Sequence, residues 1–170
     1  MKKIFAPFFF LLIAATVFSQ NDTIQPPYKR FPSFPPVKLL LPDSSTYFTK
    51  QDLDKKTQVM LMLFNPQCEH CQHETEELIK HIDEFKDIQI IMATSMVFDS
   101  MMSFREKYRL ADHKNIVVAH DVNFFLITFF SIRNLPFLAF YNKKKELIDV
   151  FQGSMPIPAV LELFKDQGKK

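Results

Sequence analysis

Apolar positions in this chain fall into short uninterrupted runs separated by longer amphipathic stretches. In one run, Val59 Met60 Leu61 Met62 Leu63 Phe64, no polar residue intervenes, and Gln58 and Asn65 Pro66 bound it. That pattern predicts a strand buried on both faces. The period then changes. Thr75, Leu78, Ile79, Ile82 and Phe85 recur at steps of three and four, with Glu76, Glu77, Lys80, Asp83 and Glu84 on the other side, which predicts an amphipathic helix.

The alternation continues downstream. Ile88 to Thr94 reads as a strand, Asp99 to Leu110 as a helix with Met102, Phe104 and Tyr108 available for burial, and Ile116 to Ala119 as a further strand. Asn123 is placed to cap a helix through Ile132; Pro136 to Tyr141 and Glu146 to Phe151 form a hairpin turned at Asn142 to Lys145; Met155 to Asp166 closes the chain as a helix. Upstream, Val37 to Leu41 and Tyr47 Phe48 are short strands joined through Pro42 to Ser45, and Thr49 resembles an N-cap ahead of a one- to two-turn helix, Lys50 to Leu53. This order predicts an α/β fold: a central mixed sheet, mainly parallel with an antiparallel C-terminal hairpin, flanked by helices on both faces. No internal repeat or second core is visible.

The N-terminal pattern is different. Lys2 and Lys3 precede an apolar stretch from Ile4 to Val17, followed by Val17 Phe18 Ser19, which together predict a secretory signal peptide over residues 1–19. A spanning helix needs about 20 apolar residues; this stretch is shorter and contains Pro7, so a retained anchor is the lesser alternative. No cysteine lies near the cleavage site to carry a lipid. Residues 20–36 hold Pro26, Pro27, Pro32, Pro35 and Pro36 and are expected to be an extended lead-in, mostly without regular structure. The folded domain is expected over 37–170.

Composition adds two constraints. With 47% apolar and 24% charged residues in 170, the chain is long enough for one ordinary core. Removal of Lys2 and Lys3 leaves 19 basic against 19 acidic side chains, so the mature protein is formally neutral and nothing points to nucleic acid or an anionic membrane surface. No membrane span is expected after cleavage. Export places the protein in a periplasmic or other extracytoplasmic setting, where a disulfide can persist.

The two cysteines, Cys68 and Cys71, stand three apart where the buried strand hands over to the helix. Unpaired N–H groups and the positive end of the helix dipole favour a thiolate there, which makes Cys68 the natural nucleophile. Cys71, one turn further in, is within reach for a disulfide. His70, when protonated, would stabilise the thiolate, whereas Glu69 and Glu74 oppose it, and the preferred direction of electron flow stays open. As a staple the pair would be poor: closing four residues stabilises by roughly 2 kcal/mol, against about 4 to 5 for a bridge between distant elements.

On these residues the chain resembles the thioredoxin fold, and most closely the exported TlpA/ResA-like thiol–disulfide oxidoreductases, over roughly Val37 to Phe164. Three features carry the likeness: a strand, Cys68 Glu69 His70 Cys71 and a helix; Leu135 Pro136 ahead of a strand; and Glu74 three residues beyond the second cysteine. Gly153 also stands where the family often has glycine. The resemblance implies thiol–disulfide exchange with protein substrates and no cofactor. Cys68 would attack, Cys71 would resolve, and a cis Leu135–Pro136 bond would lie beside them in a loop that pairs with an extended substrate segment. A separate redox partner would recycle the site. Glu74 is either a relay for the Cys71 proton or a helix first-turn acid. Phe64 to Gln67, without the family's tryptophan, and Asn142 with lysines at the hairpin turn depart from the pattern.

Two other classes are compatible with the residues. A metal-handling protein, for copper or zinc, would use Cys68 and Cys71 with His70, His73 or His120. Met60, Met62, Met92, Met96, Met101 and Met102 sit within predicted elements and suit core packing better than copper ligation. Peroxidase chemistry is disfavoured because no threonine stands three residues before Cys68. A redox-inert docking module is motivated by Phe124, Phe125, Phe129 and Phe130, too many for one helix stripe. The lysines at 143–145 and 169–170 read as solvated turn and terminus.

Overall fold

The computed structural model describes residues 25–165. The expected signal peptide, residues 1–19, lies outside them. A single helical turn α1 (Pro27–Arg30) leads into a hairpin of β1 (Lys38–Leu40) and β2 (Tyr47–Thr49). Next come β3 (Gln58–Leu63), α2 (Glu69–Lys80), β4 (Ile88–Thr94), α3 (Phe98–Lys107), β5 (Ile116–His120), α4 (Phe125–Phe130), β6 (Phe137–Tyr141), β7 (Leu147–Gln152) and α5 (Ile157–Lys165). The seven strands form one sheet in the order β2-β1-β5-β4-β3-β6-β7.

Strand β3 lies centrally among helices on both sides, which explains its unbroken apolar run. Alternate residues serve opposite faces, as the pleat requires. Met60 and Met62 join Ile90, Met92, Val118, Leu138 and Phe140 in a core closed by Leu78 of α2, Met101 and Phe104 of α3, and Val160 and Phe164 of α5. Leu61 and Leu63 join Ile91, Ala93, Ala119 and Ala139 against Leu126, Phe129 and Phe130 of α4.

The sheet is less parallel than expected. Only β3 with β4 and β4 with β5 run parallel; β1 with β2, β1 with β5, β3 with β6 and β6 with β7 are antiparallel. The reason lies in the connection from β5 to β6. Parallel strands require a crossover that carries the chain back along the sheet, and the six residues of α4 span only about 9 Å at 1.5 Å per residue. The register sets Leu63 opposite Ala93 and Phe137, and Thr94 opposite His120. The chain therefore leaves β5 and enters β6 at the same edge of the sheet, the edge where β3 ends.

Two further departures come from side chains. The helix expected over 123–132 is reduced to Phe125–Phe130, with Phe124 and Ser131 both in left-handed backbone at φ 54° and 53°. Its cap is not Asn123 but the buried Asp121, whose carboxylate accepts the Phe125 and Leu126 N–H groups at 3.1 and 2.9 Å. The proline-rich segment, expected to be extended and mostly without regular structure, has the single turn α1 among its described residues and, beyond that expectation, packs on the sheet. Ser33 bridges to Glu146, the Phe34 N–H donates to the Lys145 carbonyl at 2.8 Å, and Phe34 is fully buried with its ring 5.1 Å from that of Tyr141. Thr49 is the N-cap of a short helix as expected, here a 3-10 turn over Lys50–Asp52, and its N–H and hydroxyl donate to the Asp52 carboxylate at 2.7 and 2.8 Å.

Candidate active site

The edge at which β3 ends gathers the chemistry. After Phe64 the chain turns through Asn65, whose side-chain oxygen accepts the Gln67 N–H at 2.9 Å and whose carbonyl accepts the Cys68 N–H at 3.0 Å. The Gln72 amide ties the turn to the helix by donating to the Pro66 carbonyl at 2.8 Å. Asn65 and Pro66, which depart from the tryptophan-containing approach, thus have a local role in starting α2.

Cys68 is the N-cap residue of α2, and its sulfur accepts the Cys71 N–H at 3.4 Å. This is the cap interaction normally made by a serine or aspartate oxygen, here given to a sulfur that is partly exposed. The Cys68 thiol also donates to the Leu135 carbonyl at 3.8 Å. Cys71 is fully buried, and both cysteines are free thiols. Burial pushes the Cys71 thiol up to about 12; a hydrogen bond with the Asn65 backbone only partly opposes this, and Cys68 and Glu74 push the same way as burial. The two sulfurs therefore differ sharply in access.

Glu74 lies in the second turn of α2 and points inward, 5% exposed. A first-turn acid at the helix mouth is therefore not its position. Its carboxylate accepts the Met155 N–H at 3.0 Å, and burial raises it above the ordinary glutamate range, with the Met155 bond working the other way. His70 and His73 are exposed. His120 ends β5, two strands from β3, and its ring packs near Phe98 at 6.0 Å. Among the described residues no three His, Cys, Asp or Glu side chains are grouped to hold a metal ion. Met60, Met62, Met92 and Met101 are buried in the core, whereas Met96 is 39% exposed.

Across from Cys68, the Leu135–Pro136 bond is cis and Pro136 is buried. Pairing of Leu63 with Phe137 brings this loop beside the start of α2. Gln152, which sequence reasoning missed, and Gly153 hold it there. The Gln152 side-chain carbonyl accepts the N–H groups of Arg133 and Asn134 at 2.9 and 3.0 Å, and the Gly153 N–H, at φ +117°, donates to the Pro136 carbonyl at 2.7 Å. Gly153 is the one signal of this arrangement the sequence carried. Around the same edge, the segments after β4 and β5 expose Met96, Val97, Val122 and Phe124. Of the four phenylalanines suggested for docking, Phe129 and Phe130 belong to the core, Phe125 is half-buried and only Phe124 is well exposed.

No family model matches the chain, and no curated protein does. Solved structures do. The chain is similar to MTB DsbF, studied in mixed oxidised and reduced forms, at 17% identity and TM-score 0.65 over 77% of this chain and 94% of that one. It is similar to a secreted Mycobacterium tuberculosis disulfide oxidoreductase homologous to E. coli DsbE, at 17% identity and TM-score 0.63 over 75% and 93%. The exposed lipoprotein thioredoxin Etrx1 of Streptococcus pneumoniae aligns at 22% identity and TM-score 0.57 over 74% and 97%. The fold is thioredoxin-like.

Proposed function

We propose that this chain is an exported thiol–disulfide oxidoreductase acting on protein disulfides through Cys68 and Cys71. One observation carries the reading: a partly exposed sulfur caps a helix, receives the N–H of a second, buried cysteine, and faces the Leu135 carbonyl of an adjoining loop. Secreted and exposed proteins among the similar folds support both the chemistry and export.

In the reaction, the Cys68 thiolate attacks one sulfur of a substrate disulfide, the other substrate sulfur leaves as a thiolate that takes up a proton, and a mixed disulfide forms. Cys71 then loses its proton, attacks the Cys68 sulfur and expels the remaining substrate thiol, leaving Cys68–S–S–Cys71. A separate redox partner returns the electrons. At a pKa of about 12 the Cys71 thiol does not ionise unaided near neutrality, so its proton needs an acceptor. Glu74, buried three residues on and raised in pKa, takes that role. Substrate backbone lies along the loop at Leu135 and Pro136 in the manner of strand addition, with the exposed Val97 and Phe124 favouring unfolded, apolar segments.

The test is reduction of insulin by the mature protein. Wild type should turn over with a thiol reductant, Cys68→Ser should be inactive, and Cys71→Ser should accumulate mixed disulfides. Undiminished activity in Cys68→Ser would dispose of the mechanism.

A further inference from the structure

The two halves of the site come from distant parts of the chain, the first turns of α2 and the loop 133–136, and one short segment touches both. Four consecutive residues each make a bond to one half. Gln152 holds the N–H groups of Arg133 and Asn134, and Gly153 holds the Pro136 carbonyl. On the other half, Ser154 donates through its hydroxyl to the His70 carbonyl at 3.3 Å, and Met155 donates through its N–H to Glu74. The carbonyl facing the Cys68 sulfur belongs to Leu135, which lies between the residues held by Gln152 and by Gly153.

We propose that residues 152–155 form a strap that sets the spacing between Cys68 and the substrate-pairing loop, and that Gln152 is its positioning residue. Resting on the exchange reading, the inference names what orients the loop. Ser131 to Pro136 come after the end of α4 and form no helix or strand, so their conformation depends on such outside partners. Three of the five strap bonds use the strap's backbone or a short hydroxyl. Only Gln152 spends a long side chain, and it does so as a double acceptor for two successive N–H groups. Because only the oxygen is used, a carboxylate of the same length can replace it, whereas a methyl group cannot. Gln152 is itself exposed, so replacing it removes no core packing.

The experiment compares Gln152→Ala and Gln152→Glu in the mature protein by two readouts. Amide hydrogen exchange at Arg133 and Asn134 tests the strap whatever the activity: about tenfold faster exchange in Gln152→Ala, with near wild-type protection in Gln152→Glu, is expected. Insulin reduction tests the consequence: Gln152→Ala should raise KM roughly 5- to 10-fold, the low end expected for two lost neutral hydrogen bonds, with little change in the rate of Cys68 alkylation by iodoacetamide. Gln152→Glu should restore KM. Unchanged exchange in Gln152→Ala, or a KM defect that Gln152→Glu does not repair, overturns the strap. An inactive wild type with the expected exchange pattern would instead count against the exchange reading alone.

Discussion

Of the two cysteines, only Cys68 offers its sulfur to solvent, and the asymmetry is set by which turn of the helix each occupies. A thiol with a pKa of about 12 has on the order of one thiolate in 10⁵ at pH 7. Cys71 should therefore resist iodoacetamide in the native protein while Cys68 reacts, as peptide mass mapping after short labelling would show. Glu74 gives a second expectation. Its pKa is raised in the folded protein above the ordinary 4.5, so the folded state binds its proton more tightly than the unfolded state. The stabilisation this brings is complete below about pH 4.5 and is lost as pH rises through the folded value. Glu74→Gln removes this dependence, so urea titrations should show the variant gaining on wild type between pH 4.5 and 7. A constant difference across that range would mean that Glu74 is not held in a proton-favouring site. That Cys68 and Cys71 stand together at the start of a helix was legible from spacing alone. The inward aim of Glu74 was not, because it depends on where the residues before α5 return to α2.

Elements were legible where a strong period had one outlet, and illegible where a buried polar side chain intervened. The strands β3, β4 and β6 emerge directly from apolar runs. Helix α4 does not, because its N-terminus is set by Asp121, which is 1% exposed and serves two backbone N–H groups. Asp121→Ala leaves those donors without a partner in an apolar setting and should cost about 2 to 4 kcal/mol in chemical denaturation. Lys145 is a parallel case at the other end of the sheet. Read as a solvated turn lysine, it takes left-handed backbone at φ 65°, is 9% exposed, and donates from its ammonium to the carbonyls of Asp54 and Thr57. Burial lowers its pKa accordingly. No periodicity argument marks such residues, since they satisfy backbone groups on segments far away in sequence.

At the scale of the molecule, the fold brings the ends of β3, β4 and β5 and the start of β6 to one edge, and the cysteines, the cis-proline loop and an apolar rim share it. The alternation of strands and helices made the class of fold readable. The antiparallel entry of β6 was not, because it turns on the shortness of α4. The packing of the proline-rich segment was not readable for a related reason: prolines predict an extended backbone but say nothing of what Phe34 packs against. Phe34→Ala should cost about 3 to 5 kcal/mol, as for a fully buried phenylalanine, measurable as a shift in denaturation midpoint; a change under about 1 kcal/mol, the surface range, would mean the segment is only loosely attached. The proposed function gives attack to one sulfur and release to the other. Mass-spectrometric identification of the cysteine joined to a disulfide-containing peptide, in Cys68→Ser and in Cys71→Ser at pH 7, tests that division most directly. The adduct should form on Cys68 when Cys71 is replaced and be nearly absent when Cys68 is replaced, whereas comparable capture by Cys71 alone would contradict it.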